Sequence, residues 1–258
     1  MEGNQAKEFV KDDTPKSDEQ IVRIENLKKS FGSQEVLKDV SLHINKGENL
    51  VVMGKSGTGK SVLIKCMVRL MEPDSGQVII FGKNMNDLNN NELNEVRKKI
   101  GFLFQSAALY DSMTVRENLE FPLRDIRGRN RDEIDASVEE VLKNVGLLDA
   151  IDKMPSELSG GMRKRIGLAR TLIQRPEIIL YDEPTTGLDP ITSREISTLI
   201  LDIQQKYQTA SLIITHDTDC ARIAGNRVIL LDAGLVIAEG TYDELSGSDD
   251  ERISTFFK

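Results

Sequence analysis

Two kinds of hydrophobic pattern alternate along the chain. Residues 178–181 and 212–214 are unbroken apolar runs, which are typical of strands buried on both faces of a parallel sheet. Between these runs, apolar residues recur every three or four positions over residues 190–207, and Pro190 suits the first turn of a helix. The alternation predicts an α/β fold with a mostly parallel core sheet.

The same patterns divide the rest of the chain. Strands are predicted over residues 21–27, 39–44, 48–54, 77–82, 99–105, 177–182 and 210–216, with a hairpin over 227–240. Helices are predicted over residues 62–71, 136–146 and 190–207. Residues 28–37 are expected to connect the first two strands. We expect residues 1–20 to form a polar tail and residues 21–258 one domain, with a mainly helical lobe inserted at about 106–174.

Composition excludes several classes of protein. A net charge of −8 argues against nucleic acid as a partner, because phosphate backbones bind clustered positive charge. No apolar run reaches the roughly 20 residues that cross a bilayer, and residues 1–20 lack the apolar core of a secretory signal. Cys66 and Cys220 form neither a metal-binding spacing nor a disulfide framework. A cytosolic location is therefore expected.

Residues 54–61, GKSGTGKS, match the pattern G-x-x-x-x-G-K-[ST] between a predicted strand and a predicted helix. The three glycines allow the backbone to wrap closely, so that successive amides converge on phosphate oxygens. The N-terminus of the helix adds partial positive charge. Lys60 can reach the β- and γ-phosphates, and the Ser61 hydroxyl can bind Mg²⁺. The motif predicts a nucleotide site.

Polar residues at the ends of three other predicted strands are candidates for the chemistry. Asp182 is suited to hold hydrated Mg²⁺, and Glu183 to orient or deprotonate an attacking water. Gln105 ends one strand, where its carbonyl could reach the metal or the water. His216 ends another and could contact the γ-phosphate. Because such ends meet at one edge of a parallel sheet, we expect these residues to lie together.

A second glycine-containing turn, Ser159-Gly160-Gly161, starts a helix but has no phosphate of its own to bind, because Lys60 already serves one. The basic run that follows, residues 163–165, is interpreted mainly as a solvated helix face.

Jointly these motifs resemble the nucleotide-binding domain of ABC transporters, in the order of that family and over nearly the whole chain after the tail. The segments that carry the resemblance are the P-loop at 54–61, Gln105 in the Q-loop, the signature LSGGM at 158–162, the Walker B strand at 178–183, the D-loop GLDP at 187–190 and the switch histidine His216. The resemblance implies an α/β P-loop ATPase with an antiparallel β subdomain and an inserted helical subdomain.

The resemblance also implies roles for individual residues. Lys60, Glu183 and His216 are the expected catalytic residues, and Ser61, Gln105 and Asp182 the expected Mg²⁺ site. The expected nucleotide contacts, with Phe31 stacking on adenine, are Phe31, Val36, Gly54, Lys55, Ser56, Gly57, Thr58, Gly59, Lys60, Ser61 and Val62. In a head-to-tail dimer, Ser159, Gly160 and Gly161 would cap ATP on the opposite P-loop, and the D-loop would contribute Asp189.

The segment 103–124, together with MPSELSGGM and DPIT, is similar to the ATPase of Mla-type phospholipid transporters. That similarity implies an integral-membrane permease, an MCE-domain lipid-binding protein, a position at the cytoplasmic face of the inner membrane, and a role in outer-membrane lipid asymmetry. Residues 107–110 are predicted to form a shallow socket for a permease helix.

Two alternatives remain open: the ATPase of an osmoprotectant or peptide importer, and a soluble ABC assembly ATPase such as that of iron–sulfur cluster assembly. Osmoprotectant ATPases typically add a regulatory domain after the core, and we expect none here.

Overall fold

The computed structural model describes residues 19–124 and 130–257. Its strands are β1 (Gln20–Phe31), β2 (Gln34–Asn45), β3 (Asn49–Met53), β4 (Ser75–Ile80), β5 (Lys83–Asn84), β6 (Ile100–Leu103), β7 (Ile178–Asp182), β8 (Ala210–Thr215), β9 (Arg227–Asp232) and β10 (Leu235–Gly240). Its helices are α1 (Lys60–Met67), α2 (Asn90–Arg97), α3 (Val115–Glu120), α4 (Arg131–Asn144), α5 (Gly160–Leu172), α6 (Pro190–Tyr207), α7 (Thr218–Ala224), α8 (Tyr242–Ser246) and α9 (Glu251–Ser254).

The described strands form one sheet in the order β5-β4-β1-β2-β10-β9-β3-β8-β7-β6. Strands β9, β3, β8, β7 and β6 pair in parallel, whereas β1 pairs with β2 and β4 antiparallel. A single parallel pairing, Leu235 with Asp39, joins the two parts through β10 and β2. The predicted fold class, with a mostly parallel core and an antiparallel β region, is therefore confirmed.

The parallel part of the sheet separates two hydrophobic cores. Side chains alternate along β3, so that Val51 and Met53 pack into one core while Leu50 and Val52 pack into the other. The first core also contains most of the buried hydrophobic residues of α4, α5 and α6. The second contains the antiparallel strands and α1. Burial on both faces explains why the core strands are unbroken apolar runs.

The helical lobe is attached to the sheet through a loop that one buried side chain organises. Asn118, fully buried in α3, donates from Nδ2 to the carbonyls of Tyr110, Met113 and Thr114 at 3.0–3.1 Å, and its Oδ1 accepts from the Tyr110 amide at 2.8 Å. The Thr114 side chain caps α3 in a capping box with Glu117. These bonds satisfy the loop's backbone and determine how the chain enters the lobe.

Several predicted elements differ from the structure. Residues 28–37 are not a connection, because β1 continues to Phe31 and β2 starts at Gln34, with Gly32 at φ +60° in the turn between them. The helix predicted to reach residue 71 ends at Met67, and Arg69 adopts φ +53° just beyond it. Helices α2 and α7 are short, and the sequence analysis did not predict them. Helix α6 and the 227–240 hairpin agree with their predictions.

The predicted domain boundaries stay predictions. The described part of residues 106–174 is mainly helical, but residues 125–129 of that lobe and most of the predicted tail lie outside the described residues. Within the two described ranges, no helix is long and apolar enough to cross a membrane.

We expect Gly101→Ala to lower the free energy of unfolding by about 1–3 kcal/mol, because a Cβ there would overlap Cγ2 of Thr171 and lie 3.1 Å from Cγ of Pro176. Thr171→Ser removes the overlapping methyl group and keeps the hydroxyl that donates to the Gly167 carbonyl at 2.9 Å. Urea unfolding of the double variant should recover more than half of the loss. Purely additive losses would contradict this packing explanation.

Candidate functional site

The loop between β3 and α1 requires glycine at positions where the backbone approaches other groups. A Cβ on Gly54 would lie 2.6 Å from both the Leu231 carbonyl and the Thr58 hydroxyl. Gly59 adopts φ +102°, and a Cβ there would lie 2.8 Å from Leu37. The loop therefore turns tightly, and α1 begins at the lysine that follows it.

Lys60 lies within this loop, and its side chain is almost fully buried. Its ammonium donates to the carbonyls of Gly54 at 2.6 Å and Lys55 at 3.1 Å. Its Nζ also lies 3.5 Å from Oε1 of Glu183. The positive charge is thus held between the loop and a carboxylate that comes from the end of β7.

Ser61 and Asp182 bring two oxygen ligands together. The Ser61 hydroxyl donates to Oδ1 of Asp182 at 3.2 Å. Burial raises the pKa of the Asp182 carboxyl, while the Ser61 hydroxyl acts in the opposite direction. A cation beside Asp182 would offset the effect of burial, because it would stabilise the charged carboxylate.

These oxygens fit Mg²⁺, which prefers hard oxygen ligands and keeps several waters. Among the described residues, no group of three or more His, Cys, Asp or Glu side chains could hold a metal ion. Mg²⁺ bound with a nucleotide usually takes its other ligands from phosphate oxygens and water.

Glu183 is held in an unusual backbone conformation. Its φ is +52°, in the left-handed region, which costs energy for a residue with a Cβ. Its amide donates to the Ile214 carbonyl at 2.9 Å. On the side chain, Oε2 lies 2.8 Å from Nδ1 of His216 and accepts from the Thr186 hydroxyl at 3.1 Å. The carboxylate is therefore oriented by several groups at once.

These residues surround a cavity of about 680 Å³, large enough for a nucleotide. Its lining residues are Val36, Lys55, Ser56, Gly57, Gly59, Lys60, Ser61, Val62, Gln105, Glu183, Thr186 and His216. Most of the predicted nucleotide contacts are thus brought together.

Four of the residues predicted to contact the nucleotide or its Mg²⁺ are not in this lining. Gly54 and Thr58 are part of the loop, and Asp182 is reached through Ser61. Phe31, the predicted adenine contact, is 47% exposed near the end of the β1–β2 hairpin, and the Lys29 ammonium lies 5.7 Å from its ring centroid.

Ser159, Gly160 and Gly161 lie at the N-terminus of α5, apart from the cavity lining. The Ser159 hydroxyl accepts from the Met162 amide at 3.2 Å and so caps the helix. A Cβ on Gly161 would lie 2.5 Å from Cγ2 of Thr192 in α6, so packing alone requires glycine there. Gly160 is exposed and open to a ligand from outside the chain.

Asp189 caps the N-terminus of α6. Its Oδ1 accepts from the amides of Ile191 and Thr192, both at 3.1 Å. Hydrogen bonds from the hydroxyl and amide of Thr192 lower the pKa of its carboxyl. The side chain is therefore committed to positioning the start of α6.

The basic run 163–165 is not simply a solvated face, so that expectation is wrong for its central residue. Arg163 is exposed, but Lys164 is 6% exposed and donates from Nζ to the carbonyls of Gln105 and Glu183. Arg165 donates to the Val145 carbonyl at 3.2 Å and to Glu195 at 2.8 Å. Burial lowers the pKa of Lys164, opposed by the charges of Asp182 and Glu183.

Sequence reasoning therefore missed two residues of the site, Lys164 and Thr186. Helical spacing could have identified Lys164. It shares one face of α5 with three small or apolar residues, which indicates a buried face: Gly167, Leu168 and Thr171. For Thr186, the sequence holds no signal beyond its position three residues after Glu183.

A model of the ABC transporter family matches residues 37–186. The methionine import ATP-binding protein MetN of Rhizobium johnstonii is 40% identical over 222 residues, which are 86% of this chain and 61% of that protein. A probable ribonucleotide transport ATP-binding protein, mkl, of Mycobacterium leprae is 40% identical over 235 residues, 91% of this chain and 68% of that protein. The chain thus spans less than two thirds of the length of this MetN.

Solved structures resemble the fold over most of its length. cbiO1 of Clostridium perfringens, part of the transporter complex cbiONQ, has a TM-score of 0.83 at 29% identity, covering 92% of this chain and 94% of that one. The ATP-binding cassette MJ0796, solved as a dimer in a post-hydrolysis state with ADP and Pi, has a TM-score of 0.77 at 36% identity, covering 86% and 98%.

Substitutions of Lys60 and Glu183, whose charged groups lie 3.5 Å apart, should impair different steps. Lys60→Ala should weaken ATP binding about 10–100-fold, because charge-assisted bonds to phosphate are lost. Glu183→Gln should bind ATP normally but hydrolyse it at least about 100-fold more slowly, because an amide cannot accept a proton. Calorimetric titration and phosphate release measure the two effects, and Lys46→Ala, whose ammonium pairs with Glu19, is the control. Near-normal turnover in Glu183→Gln would contradict the role of Glu183.

Proposed function

The chain belongs to the ABC transporter family, and from that membership we propose that it is the ATPase subunit of a membrane transporter that moves phospholipid between bacterial membranes. ATP and Mg²⁺ are the cofactors of this family. The observation that carries the ATPase part of the proposal is the convergence of Lys60, Glu183 and His216 on one cavity, with Ser61 and Asp182 bonded together at its edge.

ATP hydrolysis follows from the charges around that cavity. Lys60 would bind the β- and γ-phosphates, and bound Mg²⁺ would neutralise phosphate charge beside Ser61, Gln105 and Asp182. Glu183 would orient the attacking water and accept its proton. His216 pairs with the same carboxylate at 2.8 Å and is 62% exposed at its side chain, so it can shift toward a γ-phosphate while Thr186 keeps its bond to Glu183.

A complete site requires a second copy of the chain. The exposed Gly160 and the capped N-terminus of α5 offer amides to an anion, but they lie apart from the cavity of the same chain. In the proposed head-to-tail dimer, each signature closes over ATP on the opposite P-loop. The dimeric state of MJ0796, 36% identical to this chain, supports this arrangement.

The permease would dock on a surface beside the Q-loop, which we call the aromatic groove. It is a cavity of about 330 Å³, and its lining includes Phe104, Ala107, Ala108, Phe121 and Arg170. Phe104 and Phe121 in this lining are 41% and 36% exposed. Exposed aromatic side chains of this kind are typical of protein interfaces.

The predicted socket of residues 107–110 needs correction on this evidence. Leu109 does not line the groove; it packs against the first hydrophobic core, so its place is explained by the core. Tyr110 stands at the border, with its ring 4.8 Å from that of Phe121 and the Arg170 guanidinium 4.8 Å from its own centroid. The groove thus combines aromatic and cationic groups, which suits an apolar permease helix that carries an acidic residue.

Phospholipid is the proposed cargo because residues 103–124, which contain much of the aromatic groove, carry the similarity to Mla-type ATPases. On that proposal, an MCE-domain protein joins the permease, and the ATPase lies at the cytoplasmic face of the inner membrane. The second candidate is import of a small molecule, which the 40% identity to MetN favours.

Mixed dimers test the composite site. A dimer that pairs Lys60→Ala with Ser159→Arg keeps one intact site, formed by the unchanged P-loop of one subunit and the unchanged signature of the other. Each homodimer keeps none. We expect differently tagged, co-purified mixed dimers to hydrolyse ATP at least about tenfold faster than either homodimer. Equal rates in all three would exclude action of Ser159 across the interface.

The aromatic groove and the cargo are tested together in the native host. Phe121→Glu should release the permease, because a buried carboxylate facing an apolar helix is costly. Leu70→Glu, at an exposed apolar residue outside the groove, is the control and should keep the permease. Mass spectrometry of the control complex should then identify an MCE-domain protein and phospholipid. A solute-binding protein without either would support the import candidate instead.

A further inference from the structure

One face of α5 lies directly against the chain that leads from β6 into the Q-loop. Thr171 donates from its hydroxyl to the Phe102 carbonyl at 3.4 Å. A Cβ on Gly167 would lie 2.9 Å from Cβ of Ala107, so only glycine allows this approach. Lys164 lies three residues before Gly167 and seven before Thr171 on the same helix, and its ammonium donates to the Gln105 carbonyl. The signature helix and the Q-loop therefore form one packed unit.

Lys164 extends that unit to Glu183. Its ammonium also donates to the Glu183 carbonyl, at 3.2 Å. With the bond from the Glu183 amide to the Ile214 carbonyl, the peptide groups on both sides of Glu183 are held. The amide bond comes from the sheet. The carbonyl accepts one bond from the helical lobe, through Lys164, and a second from the Thr186 amide at 3.3 Å.

The backbone is strained in both segments that Lys164 joins, the Q-loop and the residues around Glu183. Ala107 and Ala108, just after Gln105, adopt φ +61° and +48°, and Glu183 adopts +52°. Residues with a Cβ persist in this region only where the surroundings hold them, and such positions cluster at functional sites. Lys164 and Arg170 supply that support, since Arg170 donates to the Ala108 carbonyl.

The charge of Lys164 is what this position requires. An aliphatic side chain would fill the same buried space without the cost of desolvating an ammonium. The ammonium offsets that cost by donating to two carbonyls and by lying near the carboxylates of Asp182 and Glu183. Lys164 does not line the nucleotide cavity, so its effect on chemistry must pass through the residues that it holds.

We propose that Lys164 is a positioning residue for Glu183, which links the signature helix and the Q-loop to the carboxylate that activates water. The inference rests on the proposed function. Its consequence is a connection between the two ATP sites of the dimer. Ser159, which would face the partner's nucleotide, lies five residues before Lys164 on the same helix. Movement of α5 on closing over one nucleotide would thus align Glu183 at the other.

The test compares Lys164→Met, which keeps the length of the side chain and removes the ammonium, with Arg165→Met as the matched control. Arg165 is the next residue of α5 and also donates to a main-chain carbonyl, but it contacts neither the Q-loop nor Glu183. We expect Lys164→Met to lower kcat at least about tenfold with the Kd for ATP unchanged within about twofold. Lys164→Arg, which restores donors, should recover most of kcat. Arg165→Met should stay within about twofold of wild type.

A double variant separates positioning from general damage. If Lys164 acts through Glu183, adding Lys164→Met to Glu183→Gln should not lower the single-turnover rate further. A full additional loss, a rise of the Kd for ATP in parallel with the fall in kcat, or a wild-type kcat in Lys164→Met would each overturn the inference.

Two further measurements keep these outcomes decisive. If Lys164→Met does not fold, Lys164→Gln replaces it, because its side chain is too short to reach both carbonyls. The same fall in kcat is expected, and an unchanged kcat overturns the inference. Wild type and Glu183→Gln are measured alongside. If wild type hydrolyses no ATP, or Glu183→Gln is as fast as wild type, the proposed function itself fails; if both behave as expected, a negative result concerns Lys164 alone.

Discussion

The parallel register of the core strands determines where the polar groups of the site lie. Met53 of β3 is opposite Thr215 of β8, and Asp182 of β7 is opposite Ile214. The P-loop, the Walker B acids and His216 therefore leave the sheet within one residue of the same level. A one-residue slip of β7 would turn its apolar side chains to the wrong cores and move the acids by about 3.3 Å. The same burial that fixes the register thus fixes the chemistry.

Burial also disfavours the charged forms of two side chains near the site, and a bound nucleotide with its metal would offset this cost. The pKa of Asp182 is raised and that of Lys164 is lowered, in both cases chiefly because burial disfavours the charged form. Glu183 lies close to two lysines. The Lys60 ammonium is 3.5 Å from its carboxylate, and the Lys164 ammonium donates to its main-chain carbonyl. Binding of Mg²⁺ beside Asp182 would relieve the first of these costs and release any proton that the carboxyl carries.

Features governed by local rules could be predicted from the sequence, and features governed by long-range packing could not. The P-loop, α6 with Pro190 at its start, and the hairpin at 227–240 follow from short patterns of glycine, proline and apolar residues. The burial of Lys164 depends on the Q-loop, 59 residues earlier in the chain, packing against α5. Leu109 packs against the first hydrophobic core, a contact that a run of four residues does not reveal. Such differences arise where segments distant in the chain share one surface.

The glycines of the signature illustrate how one short motif serves two physical purposes. Gly161 is required inside the chain, because a Cβ there would collide with Thr192 at the start of α6. Gly160, by contrast, would bring a Cβ no closer than 3.4 Å to Leu188, which is ordinary contact. Packing within one subunit therefore explains one of the two glycines and leaves the other open. A ligand that approaches the amides of α5 from outside supplies the missing constraint, and in the proposed dimer that ligand is the partner's nucleotide.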